Sequence, residues 1–125
     1  MHIRPARREE VPGFLGASDI MISFRRWTYS QQACSPTKLA EAFALGIPVI
    51  SNSGVGDVDR ITQELDAGAV IDLDDPTAFD KVVSELDDIL AKSGSELRER
   101  AREKLGLEVA KERYRQVYAK LEQLS

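Results

Sequence analysis

The stretch Ser35-Pro36-Thr37-Lys38-Leu39-Ala40-Glu41-Ala42-Phe43-Ala44-Leu45-Gly46-Ile47-Pro48-Val49-Ile50 decides the fold. Ser35 reads as an N-cap and Pro36 as the first helical residue, where a missing N–H costs little. Leu39, Ala40, Phe43 and Ala44 recur at helical spacing over Pro36–Leu45. Gly46 can close that helix in the left-handed conformation. The many alanines let it lie close to a sheet. Pro48 to Ser51 then reads as a strand, with proline at the first residue, where it is tolerated.

Working outward, Asp19 to Phe24 is a brief apolar run, Ile20, Met21, Ile22 and Phe24, long enough for a buried strand. A polar loop, Arg25 to Cys34, joins it to the central helix. Val11 to Ser18 predicts a short helix, with Val11, Phe14 and Leu15 as apolar contacts and Pro12 in its first turn. Met1 to Glu10 is polar and basic, with Arg4, Arg7 and Arg8. Downstream, Asn52 to Gly56 is a turn-rich loop. Asp57 caps a helix over Val58–Asp66 that faces inward through Val58, Ile61 and Leu65 and ends at Gly68. Ala69 to Leu73 is a third strand. Asp75 caps, and Pro76 opens, a helix to Lys92, whose Phe79, Val82, Val83, Leu86, Ile89 and Leu90 share a face. Gly94 breaks it. From Ser95 onward the chain is helical and charged, with Leu107, Ala110, Tyr114, Val117, Leu121 and Leu124 spaced three or four apart. That stripe is expected to pack on the domain.

Strand–helix–strand–helix–strand spacing is the signature of a parallel sheet with right-handed crossovers. The fold class is therefore α/β: a partial Rossmann-like parallel sheet of three strands in sequential order, flanked by helices. It forms a single domain over 1–125, with 95–125 as a helical extension. The alternative is a small flavodoxin-like domain with two further strands near the N-terminus.

Composition narrows the function classes. The 125 residues are 42% hydrophobic and 30% charged, and 21 acidic against 17 basic side chains leave a net charge of −4. The acidic balance argues against an electrostatic nucleic-acid binder. No apolar stretch approaches the ~20 residues of a membrane helix, and no signal-peptide pattern opens the chain. Cys34 has no intrachain partner, so a reducing compartment is the simpler reading. Cys34 and His2 alone argue against a zinc site, and a Ser-His-Asp triad would depend on His2 at a frayed end.

In an open α/β sheet, ligands bind beyond the carboxyl ends of the strands. Arg25–Lys38, Asn52–Asp57 and Asp72–Asp75 end there. Ser35-Pro36-Thr37-Lys38 opens a helix, whose free N–H groups and positive dipole end suit a phosphate or diphosphate. Lys38 adds a charge. Glu41, one turn further, could accept hydrogen bonds from vicinal sugar hydroxyls. Other readings are blander. Arg25 and Arg26 either contact a phosphate or, the favoured reading, solubilise a loop. Trp27 and Tyr29 stack on a ligand or, more simply, pack within it. Cys34, just before a helix start that lowers a thiol's pKa, reads as a small buried or loop thiol in the absence of a partner base. Asp72, Asp74 and Asp75 evoke a metal site, but Asp75-Pro76 is explained as a cap. Asn52 to Asp57 is no GxGxxG fingerprint, because Asp59 holds the third glycine position, and no GxxxxGK[ST] loop exists.

Ser35–Ile50 resembles the donor-binding motif of retaining glycosyltransferases of the GT-B fold, the group 1 (family four) enzymes. Their pattern is a Ser-Pro-x-Lys opening, a helical Glu, then Ala-x-Gly-x-Pro-Val-Ile. The flanks agree: Val11-Pro12 with Ala17-Ser18-Asp19-Ile20 before it, and Gly68-Ala69-Val70-Ile71 after it. The resemblance implies that Glu41 binds the ribose hydroxyls of a UDP- or GDP-sugar. It implies that the backbone at the helix start, matching Pro36, Thr37 and Lys38 (proline lacking an N–H), holds its diphosphate and sugar. The donor-binding set is thus Ser35, Pro36, Thr37, Lys38 and Glu41, with no catalytic residue assigned. Many members carry a glutamate eight positions earlier, where this chain has Ala33. The family also has upstream strands with basic residues and an N-terminal acceptor domain, neither matched here.

The resemblance therefore implies the second half of a C-terminal nucleotide-sugar-binding domain, with His2 to Pro5 as a remnant of the preceding strand. Transfer in the intact enzyme would retain configuration without metal or cofactor, in the cytoplasm or peripherally at the inner membrane face. The alternative is a non-catalytic self-associating module, a homodimer through an unpaired edge of the Asp19–Phe24 strand.

Overall fold

The computed structural model describes residues 3, 5–26 and 28–123. Three strands, β1 (Met21–Ser23), β2 (Val49–Asn52) and β3 (Gly68–Ile71), form one parallel sheet in the order β1-β2-β3. Met21 stands beside Val49, and Val49 beside Gly68, so the register runs straight across. The sequential order is the one expected. No further strand lies among the described residues, which sets aside the flavodoxin-like alternative. Met1, His2, Arg4, Trp27, Leu124 and Ser125 lie outside the described residues, and with them most of the suggested N-terminal strand remnant; Ile3 and Pro5 belong to no strand.

Both faces of the sheet are covered, as parallel strands require. On one face α2 (Thr37–Ala44), α3 (Val58–Glu64) and α6 (Ser95–Leu105) enclose the larger core. Leu39, Phe43, Val49, Val58, Leu65 and Leu97 are all nearly inaccessible there. Leu15 of α1 (Val11–Gly16) packs against that cluster. On the other face Ile50 and Ile71 meet Ala78, Val82 and Ile89 from α4 (Ala78–Ser84) and α5 (Leu86–Ala91). A 3-10 turn, Tyr29–Ala33, occupies the loop after β1.

Several boundaries shift for identifiable reasons. Pro36, not Ser35, is the N-cap of α2, with φ −70° and ψ 108°, and the helix begins at Thr37. Gly46, at φ 76°, ends α2 as expected, and its carbonyl accepts the Gly94 N–H at 2.9 Å. The turn after α3 is made by Asp66, in the left-handed region at φ 45°, so Gly68 opens β3 rather than closing the helix. The helix expected over Pro76–Lys92 is two, because the backbone leaves helical geometry at Glu85. Pro76 stays outside, Thr77 rather than Asp75 is the N-cap of α4, and Phe79 and Val83 face solvent instead of the core.

The charged extension also divides, at Gly106, into α6 and α7 (Leu107–Gln123). Leu97 and Ala101 bury α6 against the core. The α7 helix buries no residue, which overturns the expectation that its stripe packs on the domain.

Candidate functional site

The mouth of the sheet lies beyond the carboxyl ends of β1 and β2, where α2 begins. No side-chain oxygen caps α2, so its first-turn N–H groups are left to solvent or a ligand. Only the Leu39 N–H turns back, to the Pro36 carbonyl at 3.1 Å. Ser35 does not cap the helix. Its Oγ donates to Asp57 Oδ1 across the mouth at 3.0 Å. Asp57 in turn faces Arg60 at 3.7 Å, so it is drawn away from capping α3.

The recess beside Pro36, walled by Ser23, Arg25, Ser51 and Asn52, is packed shut. Asn52 latches it: the Arg25 N–H donates to Asn52 Oδ1 at 2.7 Å, and Arg25 Nη1 donates to Gln31 Oε1 at 3.3 Å. Two polar groups in its walls, Arg25 Nε and Ser51 Oγ, are buried without a hydrogen-bond partner. Such groups are rare because each costs desolvation without return.

The five expected donor-binding residues do not converge on one hollow. Ser35 and Pro36 line a narrow groove of about 130 Å³ between α2 and α3, with Asp57, Val58 and Ile61. Lys38, in the first turn of α2, and Glu41, one turn along, point the other way, toward α1. There they edge a larger hollow of about 560 Å³, floored by Val11, Pro12, Leu15, Ala44 and Leu45, with Arg8 beside them. That volume lies within the ~300–1,000 Å³ common for small-molecule sites. Thr37 is exposed and lines neither. Lys38 Nζ contacts Glu41 Oε2 at 3.2 Å, with both side chains about half exposed, so the pair is readily parted. Sequence reasoning missed Arg8 and the α1 wall as parts of a hollow. Val11 and Leu15, four apart, gave the helix its apolar side but not its neighbour.

The other candidates are accounted for locally. Asp75 Oδ1 accepts from the Thr77 N–H and hydroxyl, each at 2.8 Å, and these bonds hold its carboxyl below the usual range. Asp72 accepts the Asp74 N–H at 2.9 Å. No group of His, Cys, Asp and Glu placed to hold a metal exists among the described residues. Cys34 is partly buried, and its carbonyl abuts Gly56, where a Cβ would collide with it. Tyr29 is exposed, which overturns the expectation that it packs within the loop, and Trp27 lies outside the described residues.

Comparison with family models, with curated proteins and with solved structures returns no match. No helix among the described residues is long and apolar enough to cross a membrane.

Proposed function

We propose that this chain carries part of the nucleotide-sugar donor site of a retaining glycosyltransferase, whose transfer step needs further parts of the intact enzyme. The observation that carries the reading is that Lys38 and Glu41 edge the 560 Å³ hollow while the uncapped start of α2 opens one turn away. In this reading the Glu41 carboxylate leaves Lys38 to accept two ribose hydroxyls. Lys38 and Arg8 attract the diphosphate, and the apolar floor takes the flat face of the base. The orphaned Arg25 Nε and Ser51 Oγ mark where the latched mouth would meet an oxyanion once Asn52 lets go.

The test is titration of the labelled chain with UDP- and GDP-sugars, followed by amide chemical shifts. Shifts at Ser35–Glu41, at the α1 wall and at Arg25, Ser51 and Asn52 of the mouth are expected. Their absence at saturating donor would sink donor binding by this chain. Glu41→Ala should weaken binding about tenfold or more, the worth of a charge-assisted hydrogen bond. Because Glu41 is exposed, the variant's stability should stay within about 0.5 kcal/mol of the parent.

A second reading, a self-associating module, is favoured by one feature of the sheet. Among the described residues β1 pairs on one side only. Ile22 (60% exposed) lies on β1 itself, and just beyond its end the exposed Phe24 meets Phe79 edge-to-face at 5.8 Å. An open edge beside exposed apolar side chains invites another strand. Light scattering decides: a dimer lost on Ile22→Lys supports this reading, and a monodisperse monomer removes it.

A further inference from the structure

The α7 helix stands apart from the site and from the sheet. Its main packing neighbour is α6, and it buries nothing, although it is the longest helix described. At 100° per residue, Leu107, Tyr114, Val117, Tyr118 and Leu121 fall within one arc of about 100°. All five are more than half exposed. The charges are sorted about this arc. Lys111 borders one side, and Arg113 and Lys120 border the other. Glu108 and Glu112 lie toward the far face, and of the carboxylates only Glu122 approaches the arc, beside Lys111. Lys111 is paired with Glu108 at 2.6 Å, and Arg115 with Glu112 at 3.5 Å. Arg113 and Lys120 have no ion pair among the described residues.

We propose that α7 is a docking surface for an anionic lipid bilayer, lying in the interface with its apolar arc down. The charge arrangement selects this occupant. Cations on both borders of an apolar arc meet lipid phosphates when the arc is immersed, while the acids on the far face stay in water. Their aliphatic stems also reach outward along the apolar surface. The two tyrosines fit the same setting, since each ring can sit among acyl carbons with its hydroxyl in the headgroups. A second copy of α7 packed antiparallel gains nothing net from charge, because the register that matches Lys111 to Glu122 on one border opposes Arg113 to Lys120 on the other, whereas lipid phosphates meet the cations of both borders. The inference does not rest on the donor-site reading.

The experiment is co-sedimentation of the whole chain with vesicles of phosphatidylcholine alone and of phosphatidylcholine mixed with phosphatidylglycerol. Binding to the mixed vesicles only, weakened by salt, is expected. Arg113→Glu with Lys120→Glu should reduce that binding about tenfold or more. Val117→Ser with Leu121→Ser should abolish it. Because α7 contributes nothing to the core, circular dichroism should show these variants folded as the parent. Four results would each overturn the proposal: no binding to either vesicle, equal binding to both, binding that survives loss of the apolar arc, or a dimer in solution that the same substitutions dissolve.

Discussion

Gly68 shows how much can hang on one missing side chain. Its φ is 139°, and a Cβ there would strike the backbone of Val49, its partner on β2. The first rung between β2 and β3 closes only because that atom is absent. Gly68→Ala should destabilise the chain by at least about 2 kcal/mol, since neither the backbone angle nor the strand spacing can adapt cheaply. Gly13 is the contrast. It sits inside α1 with nothing near the position of a Cβ, so Gly13→Ala should gain up to about 1 kcal/mol through helix propensity. Urea unfolding of the two variants measures both. A Gly68→Ala variant as stable as the parent would mean that β3 does not pair as described. From sequence Gly68 was legible as a break and not as a contact, because a glycine signals backbone freedom without naming what approaches.

Elements were legible where a local signal coincided with a tertiary demand. The α2–β2 unit reads almost directly, because Gly46 must turn left-handed and Pro48 can only begin a strand. The break at Glu85 was not legible. The apolar period runs through it unmarked, and Val82 and Ile89, now on two short helices, still both pack with Ile50 and Ile71. The candidate site was legible as a list and not as an arrangement. Ser35 and Pro36 precede the helix and face α3, whereas Lys38 in its first turn and Glu41 in its second face α1.

Between elements, Glu64 of α3 joins Lys104 of α6 at 2.6 Å, and Arg60 holds the same carboxylate. The Lys104 ammonium, more than Arg60, keeps Glu64 below its usual range against an opposing desolvation. A lowered folded pKa stabilises above the unfolded carboxylate's value, and the benefit is lost as pH falls through the folded one. Lys104→Ala should therefore be less stable than the parent near neutrality and converge with it in acid. Its Glu64 titration, followed by side-chain carboxyl NMR, should move upward. An unmoved titration would show the contact is not held in solution.

For the whole molecule, helices differ in what they contribute to stability. Ending the chain after Gly106 removes α7, which buries nothing, so the unfolding midpoint in urea should stay close to the parent's. Leu97→Ala on α6 empties a fully buried site and should cost about 2–5 kcal/mol. If removing α7 proved as costly, its described exposure would be wrong. The parallel sheet itself was legible because alternating strands and helices admit few topologies. The exposure of α7 was not, since periodicity reveals that a helix has an apolar side but not what lies against it.

The clasp between Gly46 and Gly94 has a consequence in time. The Gly94 N–H and the Ser93 hydroxyl both reach the Gly46 carbonyl, delivering α6 to the flank of α2. During synthesis α2 and the first two parallel strands emerge long before Leu97 and Ala101 do. Until then the larger core is a half-lined trough, with Phe43 open to whatever is nearby. Such a core stays open to chaperones and to misassociation until α6 emerges, and it closes only then.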